Sequence, residues 1–331
     1  MAGLENLSLL LMWTAIAIYA AAFIAYAFDL ARRSDQRSEK RVDAKALVAA
    51  GGVPASAGDD ATSPYSGSPA DGAPPKQRFV MARIGTSLTV LAWLFHLGAT
   101  LTRGFAAGRV PWANLYEFAM VGTLLIVAVF LLVLTRIDLR YLGAFITGLI
   151  VVLLGLAATN FYVAITPLMD PLKSIWLVIH VFVASLSTAF FALAFALSVM
   201  QLLQMRRERR IAEGADKTGA KFLATLPDAT RLESLAYRFT VVGFIGWTFT
   251  LMAGAIWAQD AWGRFWGFDV KETWTFIIWV IYAGYIHARA TRGWRGAPSA
   301  WLSITGFASV IFNFTIVNVF FKGLHAYSGL S

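Results

Sequence analysis

The chain has 331 residues, of which 58% are hydrophobic and only 14% are charged, and it contains no cysteine. This composition excludes an ordinary soluble domain and indicates a polytopic membrane protein, while the missing thiols exclude disulfides, thiolate metal sites and sulfur-linked cofactors. The formal net charge of +9 is explained by membrane topology, so no nucleic-acid binding is predicted.

The N-terminal region, residues 1–28, contains an apolar run long enough to cross a bilayer. Arg32 and Arg33 follow this run and no small-residue cleavage site does, so we predict a transmembrane anchor that stays in the protein. Residues 29–78 begin with mixed charge and continue in Gly, Ala, Ser, Pro and Asp. Such a composition cannot bury enough apolar area to fold, and it predicts a disordered cytoplasmic linker.

The remaining region, residues 79–331, contains seven further apolar stretches. They span roughly residues 80–101, 113–135, 141–158, 175–204, 236–257, 274–290 and 299–321. Together with the first run they predict an all-α fold, a polytopic integral membrane protein with about eight transmembrane helices.

Lysine and arginine are unevenly distributed among the segments that connect these stretches. If the N-terminus lies outside, the inside segments hold most of the 28 basic residues, with clusters at residues 205–210 and 289–295. The positive-inside rule therefore places the N-terminus, the C-terminus and the segment at 257–274 on the outer face of the membrane.

Residues 257–274, which we call the Trp-rich stretch, read WAQDAWGRFWGFDVKETW. Indoles mixed with charges and glycines suit an amphipathic surface at the membrane face, where rings contact something flat and apolar while charges face water. The candidate contact residues are Trp262, Phe265, Trp266 and Trp274 for packing, and Arg264 and Lys271 for charge. Asp269, with Glu272 three residues later, also predicts a capping box that begins the next helix.

The chain has four histidines, and they are the only candidates for a haem or metal held by imidazole. His180 and His325 are predicted at the depth of the Trp-rich stretch, where two imidazoles could ligate a haem iron from opposite faces. The alternative is that each histidine contacts lipid headgroups. His287, predicted deep in a membrane helix, would either ligate a second haem or form an interhelical hydrogen bond. His96 is predicted to be structural.

Residues 262–274 resemble the tryptophan-rich WWD signature of the haem-handling proteins of cytochrome c maturation, with Phe268 where the pattern has a third tryptophan. Within that group the chain resembles the CcsA family, also called ResC or CcsB, which is the multispanning part of the System II cytochrome c synthase. The resemblance covers most of residues 80–331 and includes residues 110–117, 172–180 and 312–325.

The resemblance implies that His180 and His325 ligate a haem b on the outer face of the plasma membrane. It implies that His287 contributes to a second haem inside the membrane, whose other ligand belongs to a ResB/Ccs1-type subunit. It also adds Asp269 to the cofactor-binding residues, whereas His96 matches no family ligand.

The implied activity is that of a cytochrome c haem lyase or synthase acting as a complex with the ResB/Ccs1-type subunit. Haem is moved outward and presented for thioether attachment to the CXXCH motif of apocytochrome c, with thiol-reducing proteins as further partners. The sequence indicates no catalytic acid or base for the addition, so positioning is expected to dominate.

Two other function classes fit parts of this sequence less well. A haem-containing membrane subunit of an electron-transfer oxidoreductase usually holds haem between paired histidines inside helices, and here only His96 and His287 are predicted to lie deep, nearer opposite faces. A small-solute transporter would be expected to show inverted repeats and broken helices, and neither pattern is found.

Overall fold

The computed structural model of the chain describes residues 2–49, 80–168, 170–215, 220–291, 293–321 and 323–324. Over these residues the regular structure is helical, and no strand is formed. The α-helices are α1 (Ala2–Ala49), α2 (Val80–Ala107), α3 (Leu115–Leu134), α4 (Gly143–Asn160), α5 (Ile175–Ala212), α6 (Ala229–Trp262), α7 (Val270–Thr291), α8 (Ala297–Phe314) and α9 (Ile316–Phe320). The predicted all-α class is confirmed.

Seven helical segments in the described part of the chain are long and apolar enough to cross a membrane, so the prediction of a membrane protein is also confirmed. They lie in α1 to α6 and in the pair formed by α8 and α9. α7 forms where the remaining span was predicted, at residues 274–290, but this helix, which contains tryptophan, tyrosine and histidine side chains, is not among the seven. An eighth membrane crossing by α7 stays a prediction.

α1 is longer than the sequence indicated, because it continues from the predicted anchor to Ala49. The structure therefore differs from the predicted linker over residues 29–49, where helix-forming Ala, Leu, Arg, Lys and Glu occur without Gly or Pro. The side chain of Asp29 is buried and accepts a hydrogen bond of 3.1 Å from the backbone N–H of Ala82. The rest of the predicted linker, residues 50–78, lies outside the described residues.

The helices pack through small residues that let aromatic rings approach neighbouring backbones. α5 packs along α6 and also contacts α3 and α8, while α1 packs on α2 and α4. Phe191 of α5 and Tyr282 of α7 stack with ring centroids 3.8 Å apart. A Cβ at Gly243 would lie 2.8 Å from the Phe191 ring, and one at Gly306 would lie 2.6 Å from the Tyr282 ring. These glycines permit the close helix contacts typical of membrane proteins.

Candidate haem-binding site

A large cavity, the main cavity, opens among α5, α6, the beginning of α7 and the α8–α9 region. It encloses about 1030 Å³ of empty space, including the solvent at its mouth. Its wall is mainly apolar and aromatic, with a few polar groups from the Trp-rich stretch and from α8 and α9. An apolar and aromatic wall with a few convergent polar groups is typical of ligand-binding sites.

His180 of α5, predicted from the sequence as a ligand-binding residue, lies on the wall of the main cavity. Its Nδ1 is 2.9 Å from the backbone carbonyl oxygen of Thr250 in α6. Because a carbonyl oxygen only accepts, Nδ1 carries the hydrogen of this bond, and in the neutral imidazole the lone pair is then on Nε2. Histidines that ligate metals are commonly oriented by this kind of hydrogen bond, so the tautomer suits axial ligation of iron.

Gly254 of α6 makes room for the His180 ring. A Cβ at this position would lie 2.8 Å from Cε1 and 2.9 Å from Nδ1 of His180, closer than real Cβ atoms approach other atoms. Thr250 and Gly254 lie one helical turn apart and together fix the ring from the α6 side. Neither residue was predicted to belong to the site.

The Trp-rich stretch contains the end of one helix, a loop and the beginning of another. Residues 257–262 complete α6, which ends at Gly263 in the left-handed conformation, φ 71°. At the beginning of α7, a carboxylate oxygen of Glu272 accepts hydrogen bonds from the backbone N–H groups of Gly267, at 2.8 Å, and Asp269, at 3.1 Å. The predicted capping box is therefore formed, and it holds the loop rigidly against α7.

The predicted aromatic residues occupy different places around the main cavity. Trp266 lies on its wall, 37% exposed. Trp262 lies one layer behind, with its ring centroid 5.0 Å from that of Trp257, and Trp257 in turn lies 5.8 Å from the His180 ring. Trp274 does not line the cavity and packs instead on Phe312 of α8, at 4.4 Å.

The two predicted cations also differ in position. Lys271 lines the main cavity, and its Nζ donates a hydrogen bond of 2.7 Å to Oδ1 of Asn318 in α9. Burial lowers the pKa of this ammonium, which precedes the apolar part of α7, to about 8, while Asp269 acts in the opposite direction. An anionic ligand beside Lys271 would favour its charged form. The Arg264 guanidinium lies against the backbone of Gly267 and is not part of the cavity wall.

Three side chains on the wall of the main cavity have a buried polar atom without a hydrogen-bond partner among the described residues. These atoms are Nε1 of Trp112, Oε1 of Glu272 and Oδ1 of Asn313. Buried polar groups are normally paired, so these three groups are candidates for contacts with a bound ligand. The Trp112 N–H is a donor suited to a carboxylate.

The other histidines are found in three different situations. His325 lies outside the described residues, but Leu324 immediately before it donates its backbone N–H to Oδ1 of Asp269, at 3.0 Å. His287 is exposed on the surface of α7. His96 is fully buried, with Nε2 2.9 Å from the Met120 carbonyl oxygen and Nδ1 3.4 Å from the Tyr19 hydroxyl. Both His96 nitrogens have interhelical partners, in agreement with its predicted structural role.

A family model described as "Cytochrome C assembly protein" matches residues 112–325. The chain is 33% identical over 262 residues to the cytochrome c biogenesis protein CcsA of Guillardia theta, covering 75% of this chain and 86% of that protein. It is 34% identical over 247 residues to CcsA of Prochlorococcus marinus strain SARG, covering 68% and 78% respectively.

The chain belongs to the cytochrome c assembly family, among the CcsA proteins. It therefore takes part in cytochrome c maturation. A solved structure named "Cytochrome c Heme Lyase CcmF" has a similar fold, with a TM-score of 0.58 and 16% sequence identity. That match covers 93% of this chain but 46% of the CcmF chain, so this CcsA-family chain spans about half the length of that structure.

In this CcsA-family chain the loop that carries Trp112 is held by a buried charge network. The carboxylate of Glu117, fully buried in α3, is 3.0 Å from Nε of Arg103 and 2.7 Å from Arg109. It also accepts the backbone N–H of Ala113, at 2.9 Å. Both arginines are engaged by this carboxylate, and neither lines the main cavity.

Replacing Glu117 with alanine is expected to lower the free energy of unfolding by about 3–5 kcal/mol, because two buried guanidinium groups would lose their shared carboxylate. Thermal unfolding of the purified protein in detergent would measure the change. Asp138→Ala, which removes the carboxylate of the more exposed Arg140–Asp138 pair, is the matched control and should cost at most about 1 kcal/mol. Equal unfolding temperatures for the two variants would contradict a stabilising role of the network.

Proposed function

We propose that this chain holds haem in the main cavity, with His180 and His325 as axial ligands, and presents it for covalent attachment to apocytochrome c. The observation that carries the proposal is the His180 imidazole, which is oriented on the cavity wall by the Thr250 carbonyl and accommodated by Gly254. An imidazole with Nδ1 occupied and the lone pair on Nε2 is an arrangement suited to an iron ligand.

The rest of the cavity supports haem as the ligand. A haem has a flat apolar ring, which aromatic side chains such as Trp257 and Trp266 can contact, and two carboxylates, which need cations or N–H donors. Lys271 and Trp112 both line the cavity, and their ammonium and indole N–H would supply both kinds of group. Glu272 would disfavour a carboxylate close to its own Oε1, so the propionates are expected on the Lys271 and Trp112 sides.

The chemistry of attachment needs two thiols, and this chain has none. Each thiol of the CXXCH motif would add across a haem vinyl group: a carbon–sulfur bond forms and the thiol hydrogen goes to the neighbouring vinyl carbon. The histidine of the motif would then replace one of the protein's imidazoles. The contribution of the chain is to bind and orient the haem, which accelerates the addition by positioning the reacting atoms.

His287 is proposed to serve a second haem site shared with a partner subunit of the ResB/Ccs1 type. It is exposed on a face of α7 that also carries Phe276 and Val280, each 47% exposed, and Gly284. An exposed imidazole in a membrane helix is costly unless another chain covers it. The main cavity and both termini would lie on the outer face of the plasma membrane, where the apocytochrome and thiol-reducing partners would approach from outside the lipid bilayer.

Co-expression of the chain, its ResB-type partner and an apocytochrome c is expected to give a cytochrome whose haem resists extraction by acidified organic solvent. Haem staining after denaturing electrophoresis would measure the product. An apocytochrome with both CXXCH cysteines changed to alanine is the control and should remain unstained. If the complex bound haem but the intact apocytochrome released all of its haem on extraction, the electron-transfer interpretation would be favoured and the synthase proposal would be wrong.

A further inference from the structure

The C-terminal end of the described chain is attached to the Trp-rich stretch through one carboxylate. Oδ1 of Asp269 accepts a hydrogen bond of 3.0 Å from the backbone N–H of Leu324. Oδ2 of the same side chain is 3.3 Å from the backbone N–H of Lys271 and caps α7. Asp269 thus connects the rigid beginning of α7 to the segment that leads directly into His325.

Gly323 makes this attachment possible. A Cβ at residue 323 would overlap Oδ1 of Asp269, and its next nearest contact would be the carboxyl carbon of Asp269 at 3.2 Å. Only a residue without a Cβ allows the backbone to approach the carboxylate so closely. The glycine two residues before His325 is therefore explained by its contact with the Trp-rich stretch.

Lys271 provides a second connection to the same region. Its Nζ donates to Oδ1 of Asn318 in α9, at 2.7 Å, while Nδ2 of Asn318 donates to the Phe314 carbonyl oxygen, at 2.9 Å. Glu272 in turn accepts backbone N–H groups of the loop. The polar residues of the first turn of α7 thus hold α9, the loop and the end of the chain in one arrangement.

We infer that Asp269 is a positioning residue that fixes the chain at Leu324, one residue before the proposed axial ligand His325. This inference rests on the proposed function, in which His325 is an axial ligand. Hydrogen bonds to an ionised carboxylate are among the stronger ones in proteins. A segment anchored in this way loses less conformational freedom when its histidine binds, so ligation is favoured.

The attachment can be tested without haem, because the chain has no cysteine and Ser328→Cys therefore accepts a single nitroxide label. In the full complex, Asp269→Ala and Gly323→Ala are expected to lower the ratio of immobilised to mobile label roughly tenfold. Asp269→Asn retains an acceptor oxygen and should keep most of the immobilised label. Asp260→Ala, which removes an exposed carboxylate at the end of α6, is the matched control and should have no effect.

The role in ligation is tested by the absorption spectrum of the haem-loaded complex. Asp269→Ala and Gly323→Ala should shift the haem from six-coordinate low-spin toward five-coordinate high-spin, and added imidazole should reverse the shift. Gly323→Ala leaves the carboxylate cap of α7 in place, so a shift in this variant cannot come from loss of the cap.

The outcomes separate this inference from the proposed function. Unchanged label mobility in both Asp269→Ala and Gly323→Ala overturns the attachment. Altered mobility with an unchanged low-spin spectrum overturns the positioning role. If mobility changes as expected but the unsubstituted complex shows no bis-histidine spectrum, the proposed function and the role in ligation both fail, while the attachment of the chain end to Asp269 stands.

Discussion

The His180→Gly variant, purified with its partner subunit, is expected to lose the six-coordinate low-spin haem spectrum and to regain it when imidazole is added. The substitution removes the ring but leaves a space of its shape beside Gly254 and the Thr250 carbonyl oxygen, which can accept the N–H of free imidazole. Glycine inside α5 costs only about 1 kcal/mol of helix stability, so the protein should still fold. Absorption spectra with and without imidazole measure the effect.

Phe182→Gly is the matched control for this experiment. Phe182 lies two residues further along α5 and is 46% exposed, so its substitution introduces the same helix penalty without removing a cavity residue. Its haem spectrum should equal that of the unsubstituted complex. A low-spin spectrum that survives in His180→Gly without imidazole would show that His180 is not a ligand. His325→Gly is expected to behave like His180→Gly.

The fold class was predictable because it depends on composition and on the length of apolar runs. The predicted stretches 80–101 and 175–204 correspond to α2 and α5. The continuation of α1 to Ala49 was not predictable, because charged helix-forming residues are equally common in solvated linkers. Its first turns beyond the anchor are stabilised by the buried Asp29, a tertiary contact that no local pattern indicates.

The candidate site was predictable only where it depends on local sequence. The capping box of Asp269 and Glu272 is a short-range motif, and it forms as predicted. The orientation of His180 depends on packing against Gly254 of α6. Nothing in the local sequence distinguishes Gly254 from other glycines of apolar helices, so this contact could not be predicted. Trp274 was expected on the ligand because aromatic character was the only available signal, but its place in α7 brings it against α8.

The Trp-rich stretch therefore combines two tasks that its composition could not separate. Trp257 and Trp266 line the main cavity and Trp262 packs on Trp257, whereas Trp274 packs against α8. Three charged residues of the stretch contact the protein itself. Arg264 lies against its own loop, Asp269 accepts a hydrogen bond from the end of the described chain, and Lys271 donates one to the side chain of Asn318. A role for the three charged residues in binding haem stays a prediction.

Gly254→Ala is expected to weaken haem affinity roughly 10- to 100-fold, the usual effect of disturbing a group that orients a metal ligand. The added methyl group would lie within 3 Å of two His180 ring atoms, so the ring must rotate away from the Thr250 carbonyl or leave the cavity wall. Glycine to alanine inside a helix normally stabilises it by about 1 kcal/mol. The contacts of the new methyl group with the His180 ring oppose this gain, so haem titration is the decisive measurement, with thermal unfolding in parallel.

Gly155→Ala in α4 is the control, because a Cβ at that position would meet nothing within 4 Å; its haem affinity should be unchanged. Imidazole should rescue Gly254→Ala far less than His180→Gly, since the displaced ring and the new methyl group still occupy the space that free imidazole would need. The two substitutions share one space, so their effects on haem affinity should not add in the double variant. Additive losses would mean that Gly254 acts elsewhere than on the His180 ring, and the packing argument for His180 as an oriented ligand would then be wrong.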